Sequence, residues 1–593
     1  MSPQPASHSK TEIKDKRSIM QIDIEVNSNT LSARKGETIL EALRDHGIQI
    51  PTLCRLEDFT PTGACRLCVV EVEGKDNLVP ACSYPVEEWM KIRTHSPRVI
   101  EARKMIVELL LSNHPDDCLY CQRNRHCELQ RLAEDLNIRE RRISGRKNVT
   151  HLDLSSPGIV HDPSKCVLCS RCVRICEEQE QVATLDFTGR GNTTSVGAAM
   201  GKDLNFSSCI QCGQCIMVCP TGALHEKSYL DAIQEAVSRD DVTAVVHYSP
   251  SVGVSLAEEF DLKPGRDITG LMNTALRKIG FNKVFDATFG AEIYIMEEAA
   301  QLADRLDKEE GLPMISSSCP AWVKDVEQTY PDLIDHLSTV KSPEQIAGTI
   351  IKQFCLESQD RGQNDVYSVS ISACPARKFE AQRQEMTHQG ISDIDAVMTT
   401  RELARLIKLY GIDMHAIEPS QADEPFQKSG SPARLTAALG GTSEAVLRTL
   451  HHKLTGRDMM NPRISKMRGT KSNRSISHKA GERKLEFAAI SPLKEIRDLM
   501  EDLHQGKGAY DYIEVMACPG GCINGGGQPF YANQKTLRSR MKAVQNHDDQ
   551  LNTRFIHRSA EIEKFYRDYI GEPNGDKAKK LLHTRFSKRD VLL

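Results

Sequence analysis

Cysteine is the residue type that points most clearly to chemistry in this chain, which holds 20 of them among 593 residues. Fifteen lie before residue 220 in four clusters, and four of the other five lie in three short loops flanked by glycine or proline. Thiolates at such spacings bind zinc or iron–sulfur clusters, and in a reducing cytoplasm they seldom pair as disulfides. The spacing therefore predicts a protein that holds several metal centres.

The first cluster has four thiols around a central Cys-x2-Cys pair: Cys54, Cys65, Cys68 and Cys82. The segment before it alternates as a strand from Gln21 to Val26, and Thr38 then caps a helix that runs through Ala42 to Gly47. This pattern is typical of a small β-grasp unit. Soft thiolates at the end of such a unit favour a 2Fe-2S centre.

The second cluster combines one imidazole with three thiols: His114, Cys118, Cys121 and Cys127. It follows a predicted helix from Val99 to Ser112. A closed zinc site accepts this donor set as readily as an iron cubane does. The spacing alone leaves both possibilities open.

Two further clusters repeat the run Cys-x2-Cys-x2-Cys-x3-Cys, first at Cys166, Cys169, Cys172 and Cys176 and again at Cys209, Cys212, Cys215 and Cys219. Two copies of this run are typical of bacterial two-cluster ferredoxins, in which the fourth cysteine of each run ligates the other cluster. We therefore expect one 4Fe-4S cubane on Cys166, Cys169, Cys172 and Cys219, and another on Cys209, Cys212, Cys215 and Cys176. Zinc ribbons are disfavoured because they use paired Cys-x2-Cys knuckles.

From Val242 onward, apolar strands alternate with amphipathic helices. Strands are predicted at Val242–Val246, Lys283–Phe285, Pro313–Ile315, Tyr367–Ile371, Ala396–Met398 and Tyr512–Met516, and helices at Val252–Phe260, Glu292–Leu306 and Arg401–Leu409. This alternation favours an α/β core with largely parallel strands, whose ligands bind beyond the carboxyl ends of the strands.

Four of the remaining cysteines follow three of these strands: Cys319, Cys374, Cys518 and Cys522. Four thiolates that converge from three loops can hold one more cubane. The runs Gly520-Gly521 and 525–527 would let the backbone approach a bulky inorganic group. The fifth, Cys355, lies in a helical-looking stretch and is interpreted as a buried core thiol.

The loops around these four cysteines resemble the three signature loops of the iron-only (FeFe) hydrogenases. They read Ser316-Ser317-Ser318-Cys319-Pro320-Ala321-Trp322, Ala373-Cys374-Pro375-Ala376-Arg377-Lys378-Phe379-Glu380, and Met516-Ala517-Cys518-Pro519-Gly520-Gly521-Cys522 with Gly525-Gly526-Gly527-Gln528-Pro529. The order of the upstream modules resembles the long clostridial form of that family. The tail from Leu537 to Thr584 resembles the family's small-subunit segment, so the resemblance covers nearly the whole chain beyond Ile19.

The resemblance implies an H-cluster. Cys319, Cys374, Cys518 and Cys522 would bind its 4Fe-4S cubane, and Cys522 would also bridge to a diiron subsite that carries carbonyl, cyanide and a dithiolate. The implied domains are a polar tail (1–18), a 2Fe-2S ferredoxin-like domain (19–98), a 4Fe-4S domain with one His and three Cys ligands (99–150), a two-cluster ferredoxin domain (151–232), an H-cluster domain (233–535) and a small-subunit-like tail (536–593). The fold class expected is a multidomain α/β protein with a β-grasp 2Fe-2S domain, small cubane-binding domains, and an α/β core with a helical tail.

The chain departs from the family along the proton route. Ser318 stands where the family has a cysteine that relays protons, and an alcohol is a far weaker acid than a thiol. The rest of the family's route falls on Glu298, Gln301, Ser338 and Arg305, and Gln301 replaces a carboxylate by a group that cannot titrate. We expect Ser318, Glu298, Ser338 and Arg305 to form a weakened route.

Further departures surround the implied diiron subsite. Arg377 replaces the lysine that hydrogen-bonds a cyanide, which keeps the charge but changes the donor geometry. Ser372 replaces a methionine and Glu344 a glutamine. Pro250 and Ser251, whose equivalents contact the other cyanide, are retained. Several altered positions beside intact metal ligands argue against drift in an inactive protein.

The activity implied is the interconversion of hydrogen with protons and electrons, which are relayed through iron–sulfur clusters to ferredoxin or to a nicotinamide-linked partner subunit. The altered pocket leaves a second interpretation open, a hydrogen sensor or a partner-dependent electron-transfer variant with low turnover. A complex-I-type electron-transfer subunit shares the first two modules but lacks the three loops. A cytosolic iron–sulfur assembly factor lacks the long cluster array.

Composition disfavours other classes of protein. The 77 Lys and Arg are balanced by 81 Asp and Glu, so no general affinity for nucleic acid or anionic membranes is expected. No apolar window of membrane-spanning length is present, and the polar first residues carry no secretory signal, which predicts a cytoplasmic location. The basic stretch from Arg463 to Lys484 is expected to be a solvated hairpin rather than a docking site for ferredoxin.

Three residues of the tail receive structural interpretations. His583 is expected to have a structural role. Phe565 and Tyr569, at helical spacing, are expected to pack on the core with the same helix face.

Overall fold

The computed structural model describes residues 20–140, 142–145, 147, 151–354, 365–423, 432–469, 471–504, 510–551 and 554–590. The polar tail and Cys355 lie outside the described residues. The described chain forms two compact units, one of residues up to 147 with Ser164–Arg171, the other of His151–Pro163 with the residues from Cys172 onward. Among the described residues, no helix combines the length and the apolar character needed to cross a membrane.

The first unit is built on a mixed sheet of five strands. Its elements are β1 (Gln21–Val26), β2 (Asn29–Arg34), α1 (Ile39–Asp45), β3 (Val69–Val72), β4 (Val79–Pro80), β5 (Lys91–Arg93), α2 (Pro97–Asn113) and α3 (Glu128–Asp135). The strand order is β2-β1-β5-β3-β4, and the apolar side of α1 packs on this sheet. Thr38 forms a capping box with Glu41 at the start of α1, as the sequence predicts. The β-grasp prediction is confirmed.

The second unit begins with a segment that carries Cys172 and Cys176 of the first ferredoxin-type cysteine run and all of the second run. Its elements are β6 (Ile159–His161), α4 (Arg171–Arg174, whose first residue belongs to the first unit), β7 (Leu185–Thr188), β8 (Ser195–Ala198), α5 (Gln214–Val218) and β9 (Leu224–Glu226). Strand β6 pairs with β9 and β7 with β8, both antiparallel. Cys172 and Cys215 lie in α4 and α5, whereas Cys209, Cys212 and Cys219 lie outside these helices.

The rest of the second unit is an α/β core. Its elements are α6 (Leu230–Ser238), β10 (Thr243–Tyr248), α7 (Pro250–Gly253), α8 (Thr269–Ile279), β11 (Lys283–Asp286), α9 (Thr288–Lys308), β12 (Met314–Ile315), α10 (Pro320–Thr329), α11 (Pro343–Phe354), β13 (Val366–Ser372), α12 (Ala376–Ala381), β14 (Thr387–His388), β15 (Ile391–Ser392), β16 (Ala396–Thr399), α13 (Thr400–Leu409), α14 (Gly441–Thr455), β17 (Asn473–Ala480), β18 (Arg483–Ile490), α15 (Leu493–His504), β19 (Tyr512–Val515), α16 (Gln534–Gln550), α17 (Ala560–Phe565) and α18 (Asp576–Leu582).

These strands form two main sheets rather than one. The first has the order β11-β10-β13-β16 and is parallel throughout, whereas the second has the order β12-β19-β18-β17 with β17 antiparallel to β18. The basic stretch forms much of the β17–β18 hairpin, as predicted. Strands β12 and β19 are parallel neighbours, so the loops of Cys319, Cys518 and Cys522 leave the same edge of one sheet. The loop of Cys374 follows β13 of the other sheet.

Two local predictions are wrong. The predicted helix Val252–Phe260 is split, because α7 ends at Gly253 and a separate 3₁₀ turn covers Leu256–Phe260. Phe565 is buried, but Tyr569 is 41% exposed. The chain changes from α17 to a wider π-helical turn after Phe565, which rotates Tyr569 off the buried face.

A buried ion pair joins α12, which follows Cys374, to α13, which follows β16. The Lys378 ammonium on α12 lies 2.8 and 2.7 Å from the two carboxylate oxygens of Glu402 on α13, and both side chains are fully buried. Glu402 also accepts the Thr399 backbone N–H at 2.7 Å. This pair holds α12 against the carboxyl end of β16.

Replacing Lys378 by Met should leave the Glu402 charge buried without its cation. We expect K378M to lower the free energy of unfolding by about 3–5 kcal/mol, and K378M/E402Q to recover part of that loss because the charge is then removed while the cap acceptor stays. Calorimetry of the full chain measures both. The control is R239M, which breaks the exposed pair of Arg239 and Asp241. An equal drop in unfolding temperature for R239M and K378M would contradict the assigned role.

Candidate active site and metal centres

Four cysteines from three loops line one buried cavity with an empty volume of about 730 Å³: Cys319, Cys374, Cys518 and Cys522. Cys319 is the N-cap residue of α10, and Cys374 lies between β13 and α12. The other two follow β19. The wall also includes Ser318 and Arg377. The structure thus brings together the four sulfur atoms that the sequence predicts for the last cubane.

Two glycines allow the third loop to pack closely against the rest of the cavity wall. Gly521 has φ +100°, and a Cβ there would lie 2.6 Å from the backbone nitrogen of Leu439. A Cβ at Gly525 would lie 2.4 Å from the carbonyl oxygen of Ala373, next to Cys374. The glycine run therefore serves close contact between backbones as well as the approach of a ligand.

The thiols of this cavity fit an iron–sulfur cluster. Burial raises the pKa of all four thiols, and neighbouring sulfur charges contribute to the rise for Cys374, Cys518 and Cys522, which brings the pKa of Cys374 to about 12. Arg377 is a cation that opposes this rise for Cys319, Cys374 and Cys522. Four thiolates are stable here only with a strongly charged metal among them. An all-sulfur donor set is what a cubane requires.

Arg377 is held by two hydrogen bonds and by an ion pair with Glu344. Its Nη1 donates to Glu380 at 2.6 Å, and its Nη2 lies 2.8 Å from both the Ser318 carbonyl oxygen and a Glu344 carboxylate oxygen. Burial lowers the pKa of Arg377, but the charges of Glu344 and Glu380 raise it more, so the guanidinium stays charged. The two departures at 344 and 377 therefore form one ion pair, which the sequence alone does not reveal.

The residues expected near the second cyanide are placed unequally. Pro250 lines the cavity, whereas Ser251 is not part of its lining and its hydroxyl lies 2.8 Å from that of Ser249. Ser372 is buried at the end of β13. Met516, from the third loop, lines the cavity and adds an apolar surface.

The proton-route residues lie in a buried polar group next to the cavity. Ser318 lines the cavity and interacts with Tyr294 of α9. The Tyr512 hydroxyl donates to Glu298 Oε2 at 2.9 Å. Burial raises the pKa of Glu298 to about 7, although the hydroxyls of Ser338, Tyr512 and Tyr294 favour its charged form. The two tyrosines escaped sequence reasoning because they come from distant elements and belong to no motif.

Other residues of the predicted route lie near a surface cavity. Ser338 Oγ donates to Gln301 Oε1 at 2.9 Å. Arg305 instead donates to backbone carbonyls, at 2.8 Å to Gly311 and 2.7 Å to Leu337. Gln301 and Arg305 both line a surface cavity with an empty volume of about 770 Å³. Ser338 is thus hydrogen-bonded to Gln301, and Gln301 and Arg305 border the same surface cavity.

A second cavity adjoins the first. It has an empty volume of about 420 Å³ and is lined by four predicted cubane ligands: Cys176, Cys209, Cys212 and Cys215. The charge of Cys518 raises the thiol pKa of Cys212, and a Cβ at Gly526 would lie 2.3 Å from the Cys212 carbonyl oxygen. The two sets of thiols are thus close neighbours.

The remaining predicted ligands are distributed as follows. In the first unit, Cys54 contacts Cys65 and Cys82, and Cys68 contacts Cys82. The charge of Cys121 raises the thiol pKa of Cys118 and Cys127, and His114 follows the end of α2. Cys166 and Cys169 belong to the first unit, and Cys172 and Cys219 to the second.

The close packing of the third loop against Ala373 can be tested by adding a side chain at Gly525. Because a Cβ at position 525 would collide with the Ala373 carbonyl oxygen, we expect G525A to move the Cys522 loop and to lose the iron of one cubane. Iron analysis and paramagnetic resonance measure the loss. The control is G197A, since a Cβ at Gly197 meets no atom within 4 Å. Full iron content in G525A would contradict the geometry.

Models of five known families match successive parts of the chain. The iron-only hydrogenase large subunit, C-terminal domain, matches residues 242–526, and the iron hydrogenase small subunit matches 534–589. Upstream, a 2Fe-2S iron–sulfur cluster binding domain matches 20–97 and the NADH-ubiquinone oxidoreductase-G iron–sulfur binding region matches 103–142. The ferredoxin-like domain of NADH-quinone oxidoreductase subunit 3 matches 156–225.

Similar proteins cover almost the entire chain. The NADP-reducing hydrogenase subunit HndD of Solidesulfovibrio fructosivorans is 37% identical over 96% of this chain and 100% of its own length. Iron hydrogenase 1 of Clostridium pasteurianum is 35% identical over 95% of this chain and 99% of its own. A solved FeFe hydrogenase of Chlamydomonas reinhardtii has a TM-score of 0.56 and 30% identity, and the match covers 61% of this chain and 100% of that one. The chain therefore belongs to the iron-only hydrogenases.

Proposed function

We propose that the cavity of Cys319, Cys374, Cys518 and Cys522 holds the H-cluster and is the place where this enzyme interconverts hydrogen with protons and electrons. The observation that carries the proposal is the convergence of all four thiols, from three loops, on one buried cavity. When bound, the cluster supplies the redox chemistry and the place where hydrogen reacts.

The chain supplies the cysteine ligands, a nearby positive charge and a cavity lining that excludes water. Several apolar or backbone-restricted residues line the cavity: Ala287, Pro320, Pro343, Ala437, Met516 and Ala517. They keep water away from the ligand thiolates, which strengthens electrostatic interactions inside the cavity. The Arg377 guanidinium provides the positive charge on one side. Its bonds to Glu344 and Glu380 hold it in a fixed orientation.

Electrons are proposed to leave through the cubane of the second cavity. This proposal is supported by the contact between the third loop and the backbone of Cys212 and by the electrostatic coupling of Cys212 with Cys518. The other predicted clusters would continue the path. The sequence-based domain division (19–98, 99–150, 151–232, 233–535 and 536–593) is proposed on the same basis and is supported by the five family matches, whose limits fall within or near these ranges.

Protons are proposed to pass from Ser318 to Glu298 and onward through Ser338. Glu298 suits this role because its pKa of about 7 lets it gain and lose a proton near neutral pH. Ser318 is the weak member, since a hydroxyl passes a proton along hydrogen bonds but does not titrate near pH 7. Proton transfer through the Ser318 hydroxyl is therefore expected to be slow, and turnover to be low. A low turnover also favours the second candidate function, a hydrogen sensor or an electron-transfer variant.

The electron acceptor is proposed to be ferredoxin or a nicotinamide-linked partner subunit. Support for a nicotinamide link comes from the relative that is a subunit of an NADP-reducing hydrogenase and matches 96% of this chain. Assaying the purified enzyme with ferredoxin alone, and with nicotinamide in the presence of a copurified partner, separates the two acceptors.

Infrared spectroscopy of the matured protein under hydrogen tests the function. Metal-bound carbonyl and cyanide absorb where protein does not, so we expect such bands in the wild-type chain and their loss in C522S. The variant C54S, which affects a cysteine of the first unit, should retain them. A matured wild-type protein without these bands would show that the cavity holds at most a plain cubane.

Replacing Ser318 by cysteine should raise turnover. We expect S318C to increase hydrogen production by at least about tenfold, because a positioned acid–base group contributes about 10²–10⁴-fold. The matched control is S317C. The neighbouring Ser317 is also buried, but its hydroxyl donates to the Val340 carbonyl oxygen at 2.9 Å and it is not part of the cavity lining. Equal rates for wild type and S318C would disprove the assignment of the slow step.

A further inference from the structure

A chain of hydrogen bonds continues from the proton route into the C-terminal tail. Ser338 Oγ donates to Gln301 Oε1 at 2.9 Å, and Gln301 Nε2 donates to Thr339 Oγ1 at 2.7 Å. Thr339 Oγ1 lies 2.8 Å from His583 Nδ1, and His583 Nε2 lies 3.1 Å from Glu297 Oε2. His583 therefore connects to the residues that move protons.

The backbone determines the direction of this chain. The Thr339 N–H donates to Gln301 Oε1 at 3.2 Å, which identifies that atom as the amide oxygen. Because Gln301 Nε2 donates to the Thr339 hydroxyl, the Thr339 proton is left to donate to His583 Nδ1. The ring proton of neutral His583 then lies on Nε2 and is donated to Glu297. A carboxylate partner of this kind fixes the tautomer of an imidazole.

Both ends of the chain are suited to proton transfer. At the inner end, Glu298 Oε1 makes no hydrogen bond within the described part of the chain, and the Ser338 hydroxyl, which begins the series of hydrogen bonds, favours the charged form of Glu298. At the outer end, the Asn574 backbone N–H and the Tyr566 hydroxyl donate to the two oxygens of Glu297 at 2.7 and 2.6 Å. Asn574 also lines the surface cavity that Gln301 borders.

We propose that His583 and Glu297 together form the acid–base pair at the outer end of the proton route. The pair would exchange protons between the route and solvent, as a carboxylate at position 301 would do. The proposal rests on the proposed function. A carboxylate at 301 would exchange protons directly with the surface cavity, whereas the amide of Gln301 does not titrate. The next side chain along the hydrogen bonds that can accept a proton is His583, through its imidazole Nδ1.

One outward transfer moves four protons by one position each. The carboxyl proton of Glu298 moves to the Ser338 hydroxyl, and the Ser338 proton moves to the amide oxygen of Gln301. An Nε2 proton of Gln301 then moves to the Thr339 hydroxyl, and the Thr339 proton moves to His583. The products are a carboxylate, the imidic-acid form of Gln301 and an imidazolium. Water in the bordering cavity restores the amide by taking the proton on oxygen and returning one to nitrogen.

The first test compares turnover in two backgrounds. In the matured wild-type chain, we expect H583Q and E297Q to lower turnover by at least about tenfold. In the Q301E background, H583Q should cost less than about twofold, because the carboxylate at 301 then exchanges with water itself. A purely structural role of His583 would cost the same in both backgrounds. The control is H557Q. His557 is another histidine of the tail that contacts a carboxylate, at 2.8 Å from Asp458, but it does not belong to this series of hydrogen bonds.

The second test does not depend on catalysis. In protein that lacks the diiron subsite, at a pH below 7, Glu298 carries its proton, and transfer to D₂O shifts its infrared carboxyl band. We expect this exchange to be slower in H583Q and E297Q than in wild type and H557Q. T339V, which removes the hydroxyl link, should slow the exchange as well, and it replaces H583Q if that variant does not fold.

The outcomes separate the two proposals. A matured protein without carbonyl and cyanide bands would defeat the proposed function and leave the exchange result intact. Exchange rates and turnover in H583Q and E297Q that equal those of H557Q would overturn the role of the His583–Glu297 pair.

Discussion

Four cysteine thiols buried in one cavity are the constraint on which the rest of the structure depends. Burial raises the pKa of Cys319, Cys374, Cys518 and Cys522, and repulsion between sulfur charges adds to the rise for the last three, so these sulfur atoms become ligands only when a metal charge lies among them. The architecture serves this requirement. Parallel neighbours β12 and β19 deliver three of the cysteines to one edge, and the loop after β13 delivers the fourth.

Two charged residues beside the cavity, Arg377 and Glu344, compensate each other. Arg377 and Glu344 both differ from what the family resemblance leads one to expect, and the structure pairs them at 2.8 Å. An additional buried carboxylate beside the thiolates would be unfavourable by itself, and it is tolerated because the guanidinium also contacts Glu380 and the Ser318 carbonyl oxygen. The two substitutions therefore have one physical explanation, which is that the Arg377 guanidinium and the Glu344 carboxylate compensate each other's buried charge.

The helical tail contributes to the interior as well as to the surface of the core. The Lys341 N–H donates to the Leu582 carbonyl at 2.8 Å, and the Thr584 N–H donates to the Thr339 carbonyl at 2.7 Å. These backbone bonds place His583 between Thr339 and the fully buried Glu297. A segment that resembles a separate small subunit thus lies in hydrogen-bonding contact with the proton route. The fusion therefore places the tail beside the proposed proton route.

By itself, the sequence determined the ligand clusters, the order of the modules and the α/β character of the core. These features depend on short spacings, such as Cys-x2-Cys, or on local rules such as the Thr38 cap. Tertiary structure alone decided that the core strands divide into two sheets, that Arg377 meets Glu344, and that Tyr294 and Tyr512 surround Glu298. It also decided that His583 reaches Gln301 through Thr339. Such contacts join residues far apart in the chain, and their energies arise only when packing removes water and brings the partners within hydrogen-bonding distance.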